Sequence, residues 1–565
     1  MWLYTGEKSL YAIIQTGSVH SKERSEEPIK RNTDLSKKFI QGAFILTLSS
    51  IVIKLLSAVY RVPYQNIVGD VGFYIYQQVY PFYAFVLVLS TYGFPVIISK
   101  LLAETKEEKT YTRTEIIFTS WVSLSIISLV MFSALFFGAS FLANMMNDPM
   151  LIKSIKMISF SFLFLPFISI IKGIFQSDGE MMPTAVAQVA EQAVRVGFIL
   201  VFSIIFYYYG LSLYEVAEWA FIGSVLGSAV SGLILLIFYW RMKRKQIITI
   251  DSLNMKKSLI PLSRQIIGQG IIFGISSLIL VFIQFMDALV LYPLLTDSGM
   301  EMTDAKQWKG VYDRGQPLLQ LGTTATIALS LTIVPLISKF KQQQETQLVR
   351  KYTELSYRLS IMLGMAATVG LFWIIEPVNI MLFTNAKGSE ALGVLSLSIL
   401  FCSFLMTGMF VLQSLGYSMI AIAIIVIGLL VKFVLMIMLV PKAFIMGAAF
   451  STTAAFMVMA CILFVYMRRI FKKPIIENRT FILTLFASLC MSIILFVERE
   501  LFGMLSAHFA TNRLFTACEV LIEVFSGALV YLCVIIRMGL FTFEELALLP
   551  FGSKMARFLP KNKKL

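Results

Sequence analysis

Apolar runs of about 20 residues recur along almost the whole of this 565-residue chain. No other feature narrows the fold as far. In hydrocarbon every backbone N–H and C=O must find its partner within the protein, so only helices and closed barrels cross a bilayer. A helix needs about 20 residues, at 1.5 Å each, to cross a core of roughly 30 Å. Barrel strands would be about 10 residues long and would alternate apolar with polar side chains; these runs do not. Charge agrees: 14% of residues are charged, against about 25% in a soluble chain. The chain therefore reads as an all-α polytopic membrane protein.

Fourteen spans can be drawn, at residues 39–62, 77–101, 115–142, 154–177, 184–208, 216–240, 265–294, 315–338, 356–383, 391–414, 419–440, 445–467, 480–498 and 513–538. The strongly basic connections, Lys100 to Arg113, Arg241 to Arg264, Lys339 to Arg358 and Arg468 to Arg479, all fall on one side of them. The positive-inside rule makes that side cytoplasmic, and with it both termini of a multi-pass membrane protein. The same distribution accounts for the net charge of +15 by topology and lipid contact rather than by nucleic acid. Residues 1–37 are expected to be a disordered cytoplasmic tail, and 541–565 a basic tail along the inner interface. The five cysteines all fall inside spans, and His20 and His508 in polar segments. No disulfide, metal, cofactor or catalytic residue is expected.

The chain is also an internal duplication. Gln176-Ser177-Asp178-Gly179 returns 237 positions later as Gln413-Ser414-Leu415-Gly416. Nineteen residues after each Gln stands a basic residue deep in an apolar run, Arg195 and Lys432. A second pair matches in the same order: Tyr76-Gln77-Gln78-Val79-Tyr80-Pro81 and Tyr312-Asp313-Arg314-Gly315-Gln316-Pro317. Two pseudo-symmetric six-helix lobes follow, residues 38–245 and 246–475, with two appended helices at 476–540. Six is even, so both lobes enter the bilayer with one orientation, and transporters built this way bind substrate between the halves.

Charge within spans is costly, about 2.5–3.5 kcal/mol per residue at the centre on insertion scales. Lys54 lies about 22 Å along the first span; it and Lys172 are placed to snorkel. Glu191 and Arg195 are four apart on one face. Asp287 lies on the seventh span, Asp313 and Arg314 open the eighth, and Lys432 lies on the eleventh. Lys54, Arg195, Arg314 and Lys432 are read as a cationic lining between the lobes, suited to a phosphate or pyrophosphate headgroup. Glu191, Asp287 and Asp313 are the candidate coupling or cavity acids. Glu519 and Glu523 share a face outside the repeat. Pro81, Pro95, Pro166, Pro317 and Pro335 are expected to interrupt the second, fourth and eighth spans.

The stretch Gly42 to Lys100, with Val62-Pro63-Tyr64-Gln65-Asn66-Ile67-Val68-Gly69, resembles the stage V sporulation protein B-like polysaccharide exporters, as does Tyr312-Asp313-Arg314-Gly315-Gln316-Pro317-Leu318. These belong to the multidrug/oligosaccharidyl-lipid/polysaccharide exporter superfamily, with the lipid II flippases. The resemblance covers about residues 35–545. It implies a fourteen-helix flippase that moves an undecaprenyl-pyrophosphate-linked saccharide outward, among membrane lipids and cell-envelope synthesis proteins. It also implies cavity roles for Lys54, upstream of Gly69, and for Arg314. An Arg that lipid II flippases carry on the second helix has no counterpart after Pro81. Some relatives bind sodium through acids on the seventh and eleventh helices; only Asp287 matches.

No G-x-x-x-x-G-K-[ST] loop is present, so no built-in ATPase is expected. The rival readings are a multidrug-extrusion antiporter, which needs an acid-dominated cavity, a lipid-linked-sugar polymerase or ligase, and a scaffold.

Overall fold

The computed structural model describes residues 48–49, 52–57, 59–105, 111–243, 255–472, 474–506 and 512–541; the tail expected at 1–37, nearly all of 541–565 and the start of the first span lie outside them. Among the described residues none forms a strand. Eleven of the described helices are long and apolar enough to cross a membrane. Two of these, Val52–Glu104 and Ser418–Phe471, run 53 and 54 residues. Straight, each would reach about 80 Å against a core of roughly 30 Å, so each must fold back. The first turns at Gly69, at φ 69° and ψ −175°, a region essentially closed to residues with a Cβ. The turn brings the hydroxyls of Tyr60 and Tyr76 to 2.9 Å, although 16 residues of straight helix would separate them by about 24 Å. The second turns at Phe444, where a Cβ on Gly447 would stand 2.5 Å from the Leu439 backbone. Counting each as two crossings, and adding the 28-residue helix Gly315–Gln342, gives about fourteen spans.

In chain order the elements are α1 (52–57), α2 (Arg61–Val88), α3 (Phe94–Glu104), α4 (Arg113–Met145), α5 (Ile152–Ser159), α6 (Leu165–Ser177), α7 (Met182–Tyr208) and α8 (Leu213–Lys243). The second repeat holds α9 (Met255–Ser277), α10 (Ile279–Asp297), α11 (Met302–Asp313), α12 (Gly315–Gln342), α13 (Thr346–Phe383), α14 (Ser389–Ser396), α15 (Ser398–Ser414) and α16 (Ser418–Phe471). The appended pair is α17 (Asn478–Ser506) and α18 (Arg513–Arg537), packed on each other and on α13.

The prolines divide differently from expectation. A wide π-type turn, Leu89–Gly93, precedes Pro95, and a 3₁₀ stretch, Phe160–Phe164, precedes Pro166. Helices α2 and α12 continue through Pro81 and Pro335. A proline inside a helix removes one hydrogen bond, which neighbouring helices can offset; Pro317 stands in the first turn of α12, where its missing N–H has no partner to lose. An unforeseen break falls at Leu278. It lets α9 pack on α3 and α4 of the first lobe while α10 packs on α2 and α16. The span drawn at 265–294 is thus two helices that bridge the lobes.

Polarity is inverted relative to a soluble protein. Helix α18 exposes Leu514, Leu521 and Phe525 and buries Glu523 and Tyr531. Helix α4 likewise exposes Leu129, Phe137 and Phe141 while it buries Ser120, Ser123 and Ser128. With hydrocarbon as solvent, apolar surface gains nothing by being buried, so packing and internal hydrogen bonds hold the helices together. Ser128, for example, donates to the Phe162 carbonyl at 2.6 Å.

Gly69→Ala is expected to lose about 1–3 kcal/mol, the strain of an L-residue in that conformation. Gly138→Ala, where a Cβ meets nothing within 4 Å, is expected to be neutral or mildly stabilising. Thermal unfolding in detergent compares the two; equal melting points would show that the Gly69 turn is not strained.

Candidate functional site

A cavity of about 190 Å³ lies between the lobes. Its first-lobe wall comes from Lys54 and Ser57 of α1, Tyr80 of α2, and Gln188, Glu191 and Gln192 of α7. Its second-lobe wall comes from Gln284 of α10, Gln320 and Thr323 of α12, and Met406 and Phe410 of α15. On α7 the polar residues Gln188, Glu191, Gln192 and Arg195 fall at i, i+3, i+4 and i+7, a single helix face. Four glutamines supply donors and acceptors in pairs, the set that sugar hydroxyls require.

Behind the Tyr80 wall sit two fully buried guanidiniums, Arg61 and Arg195. Arg61 Nη1 donates to Gln320 Oε1 at 3.1 Å, across the lobe boundary. Arg195 Nη2 donates to Gln192 Oε1 at 2.7 Å, and Gln192 Nε2 donates to Ser57 Oγ at 3.0 Å. Tyrosine rings take the place of carboxylates: Arg61 lies 4.7 Å from the Tyr80 ring centre and Arg195 4.9 Å from that of Tyr83, within cation–π range. Among the described residues, Arg61 Nε and Nη2 and Arg195 Nε and Nη1 have no acceptor. Glu191, four residues from Arg195, accepts instead from Tyr83 at 3.1 Å and Ser228 at 3.3 Å.

Two further buried charge clusters lie away from the cavity. Inside the second lobe Lys432 Nζ is 2.6 Å from Asp287 Oδ1 and 3.2 Å from the Ile283 carbonyl. At one end of the molecule Arg314 crosses to the first lobe and grips Asp70, with Nε and Nη2 2.7–2.9 Å from Oδ1 and Nη2 also 2.7 Å from Oδ2. Arg314 Nη1 donates to Asn379 and Asn385 as well. Beside it Lys306 is 3.2 Å from Asp148 Oδ2, and Tyr74 and Tyr214 donate to the same oxygen. A Cβ on Gly310 would stand 2.0 Å from the Asp70 carbonyl, so the lobes touch backbone to backbone here. Arg314 ignores its neighbour Asp313 because adjacent residues on a helix do not face each other; Asp313 pairs with Lys309 at 2.6 Å.

The four expected cavity cations therefore do not line one chamber in this conformation. Lys54 lines it and Arg195 sits one layer behind its wall, whereas Arg314 and Lys432 are drawn off to carboxylates, which a low-dielectric interior favours strongly. Lys172 does not snorkel; it is fully buried, with Thr91 Oγ1 3.4 Å away. The sequence reading missed Arg61, drawn as the end of a span, and Asp70, whose partner lies 244 residues away. It missed Lys306 and Lys309 as well. The pairing of Tyr76–Pro81 with Tyr312–Pro317 was a usable pointer to this region, because its second copy contains Arg314.

Residues 39–341 match the family of polysaccharide biosynthesis proteins. The uncharacterized membrane protein YabM of Bacillus subtilis is 40% identical over 524 residues, covering 93% of this chain and 97% of that one. Lipid II flippase MurJ of Bacillus subtilis is 23% identical over 532 residues, covering 89% and 96%. The solved structure of a lipid II flippase MurJ in an inward closed conformation superimposes with a TM-score of 0.65 at 16% identity, covering 87% of this chain and 98% of that one; it shows the same fold.

Asp70→Asn and Arg314→Gln should each cost about 3–5 kcal/mol, because each strands a buried charge. The double variant should lose clearly less than the sum of the two. A double-mutant cycle by denaturation in detergent tests this, and additive losses would show that the pair is not coupled.

Proposed function

We propose, from the premise that this chain belongs to the polysaccharide biosynthesis protein family, that it is a flippase carrying a lipid-linked saccharide across the bacterial cytoplasmic membrane. The observation that carries the reading is the interlobe cavity. Four glutamines and Lys54 line it, and behind its Tyr80 wall lie two guanidiniums without carboxylate partners among the described residues. Amides suit a glycan, and unspent guanidinium donors suit the phosphates that join it to a prenyl chain. Its one lining acid, Glu191, is already held by Tyr83 and Ser228, which disfavours a cavity for cationic drugs. The 23% identical MurJ relative is a lipid II flippase, and this chain's cargo is of that undecaprenyl-pyrophosphate class.

The basic loops put the Asp70–Arg314 end outside. In this conformation that end is latched. The cytoplasmic end is closed by α9 on the first lobe, where Ser123 and Ser263 share a hydrogen bond of 2.8 Å. Release of α9 opens the cavity inward and admits the headgroup, while the prenyl tail stays in lipid. The phosphates meet Lys54 and draw Gln192 and Gln320 off Arg195 and Arg61. Rocking of the lobes then parts Arg314 from Asp70. The membrane potential favours the step, since an anion moved outward from a negative interior gains about 2.3 kcal/mol per charge per 100 mV.

Complementation of a strain depleted of its lipid II flippase, scored by headgroup exposure at the outer leaflet, tests this. The parent chain should restore exposure. Lys54→Gln and Arg195→Gln should each reduce it tenfold or more, as loss of a charge-assisted contact of about 1.5–3 kcal/mol implies. Efflux of cationic drugs without headgroup exposure would replace the flippase reading with the antiporter one.

A further inference from the structure

The appended helices α17 and α18 carry a feature that the cavity does not use. Glu523 stands ten residues into α18, roughly 15 Å from its start and thus about half-way through a 30 Å core. It is 1% exposed, and its Oε2 has no partner. Membrane-depth carboxylates in the two lobes have partners, Asp287 in Lys432 and Glu191 in Tyr83 and Ser228. The groups that face Glu523 worsen its position. Glu519 is one turn away on the same face of α18, and α17 contributes Glu498 and Arg499. Arg499 is committed to Glu376 of α13 and to the Trp373 carbonyl. Glu498 accepts from Ser526 at 2.7 Å. Four carboxylates thus share one guanidinium within apolar helices.

A buried carboxylate without a counter-charge must be neutralised by a proton or a bound cation. Among the described residues no cluster of three or more acid, His or Cys side chains could hold a metal ion. We propose that Glu523 is a proton-carrying site on the helix pair outside the two lobes, and that it exchanges its proton through Glu519. The Glu523 O–H bond breaks, and its proton bonds a Glu519 carboxylate oxygen. It then passes to water at the latched end, where Arg513 at the start of α18 donates to the Met381 and Leu382 carbonyls. The partly exposed Glu519 is the outlet. Reversal reloads Glu523. The site does not depend on the cargo; its use in driving transport rests on the flippase reading.

Infrared difference spectroscopy of the full chain in nanodiscs at neutral pH tests the site without cargo. The parent should show a protonated-carboxyl C=O stretch that disappears in Glu523→Gln and persists in Glu354→Gln, a residue paired with Arg350. Absence of that band in the parent, or its persistence in Glu523→Gln, overturns the proposal. So does sodium- or potassium-dependent thermal stability that Glu523→Gln abolishes, which would mark a cation site. Should Glu523→Gln fail to fold, Glu523→Asp must shift the band, and an unshifted band overturns the assignment. In proteoliposomes with an imposed proton gradient, lipid-linked cargo should flip faster in the parent, and Glu523→Gln should lose that response. A parent that flips no cargo sinks the flippase reading while the infrared result still decides the proton site.

Discussion

The cost of charge in hydrocarbon organises this structure. In low dielectric an isolated ion is penalised by several kcal/mol, and an ion pair or hydrogen-bonded cluster recovers much of that. The chain places many charges within its buried interior and disposes of several of them in this way. Lys432 closes on Asp287, Lys309 on Asp313 and Arg314 on Asp70. The first and last of these pairs tie two elements together, while Lys309–Asp313 lies within α11, so neutrality and architecture are partly settled by the same contacts. The apolar surface, by contrast, is turned outward and contributes little to specificity.

Pairs that lie within a lobe and pairs that cross between lobes do different work. Lys432–Asp287 joins two helices of the second repeat and Lys309–Asp313 lies within α11, so rigid-body motion of the lobes leaves both intact. Arg314–Asp70 and Lys306–Asp148 cross the boundary, so any opening at that end must separate them and expose them to water. Hydration compensates separated charges well, which makes such pairs reversible latches rather than permanent staples. Arg61 and Arg195 are the exception to pairing. They are held by tyrosine faces and by two glutamines that line the cavity. Cation–π contact is weaker than an ion pair, so an incoming anion recruits these guanidiniums more easily than the cations held by carboxylates.

The appended helices obey the same electrostatic rule with a different outcome. Arg499 satisfies Glu376, Ser526 satisfies Glu498, and Glu523 is left over. An excess of acid on helices that belong to neither repeat separates a site for protons from a site for cargo. It also gives the third unit of the molecule a physical task beyond widening the lipid-facing surface.

Periodicity and composition were enough for the membrane class, the approximate number of spans, the duplication and the polar face of α7, because all of these are local or repetitive properties. Single residues misled where the outcome depended on neighbours. Pro81 and Pro335 left their helices intact, Lys172 turned inward, and the span drawn across Leu278 broke into two helices. Partner choice was decided only by the tertiary structure. Spacing along one chain cannot say that Arg314 would leave the adjacent Asp313 for Asp70, or that Arg61 would end beside Gln320. Coulomb energy in a dry interior depends on distance in space, and only the packed helices set that distance.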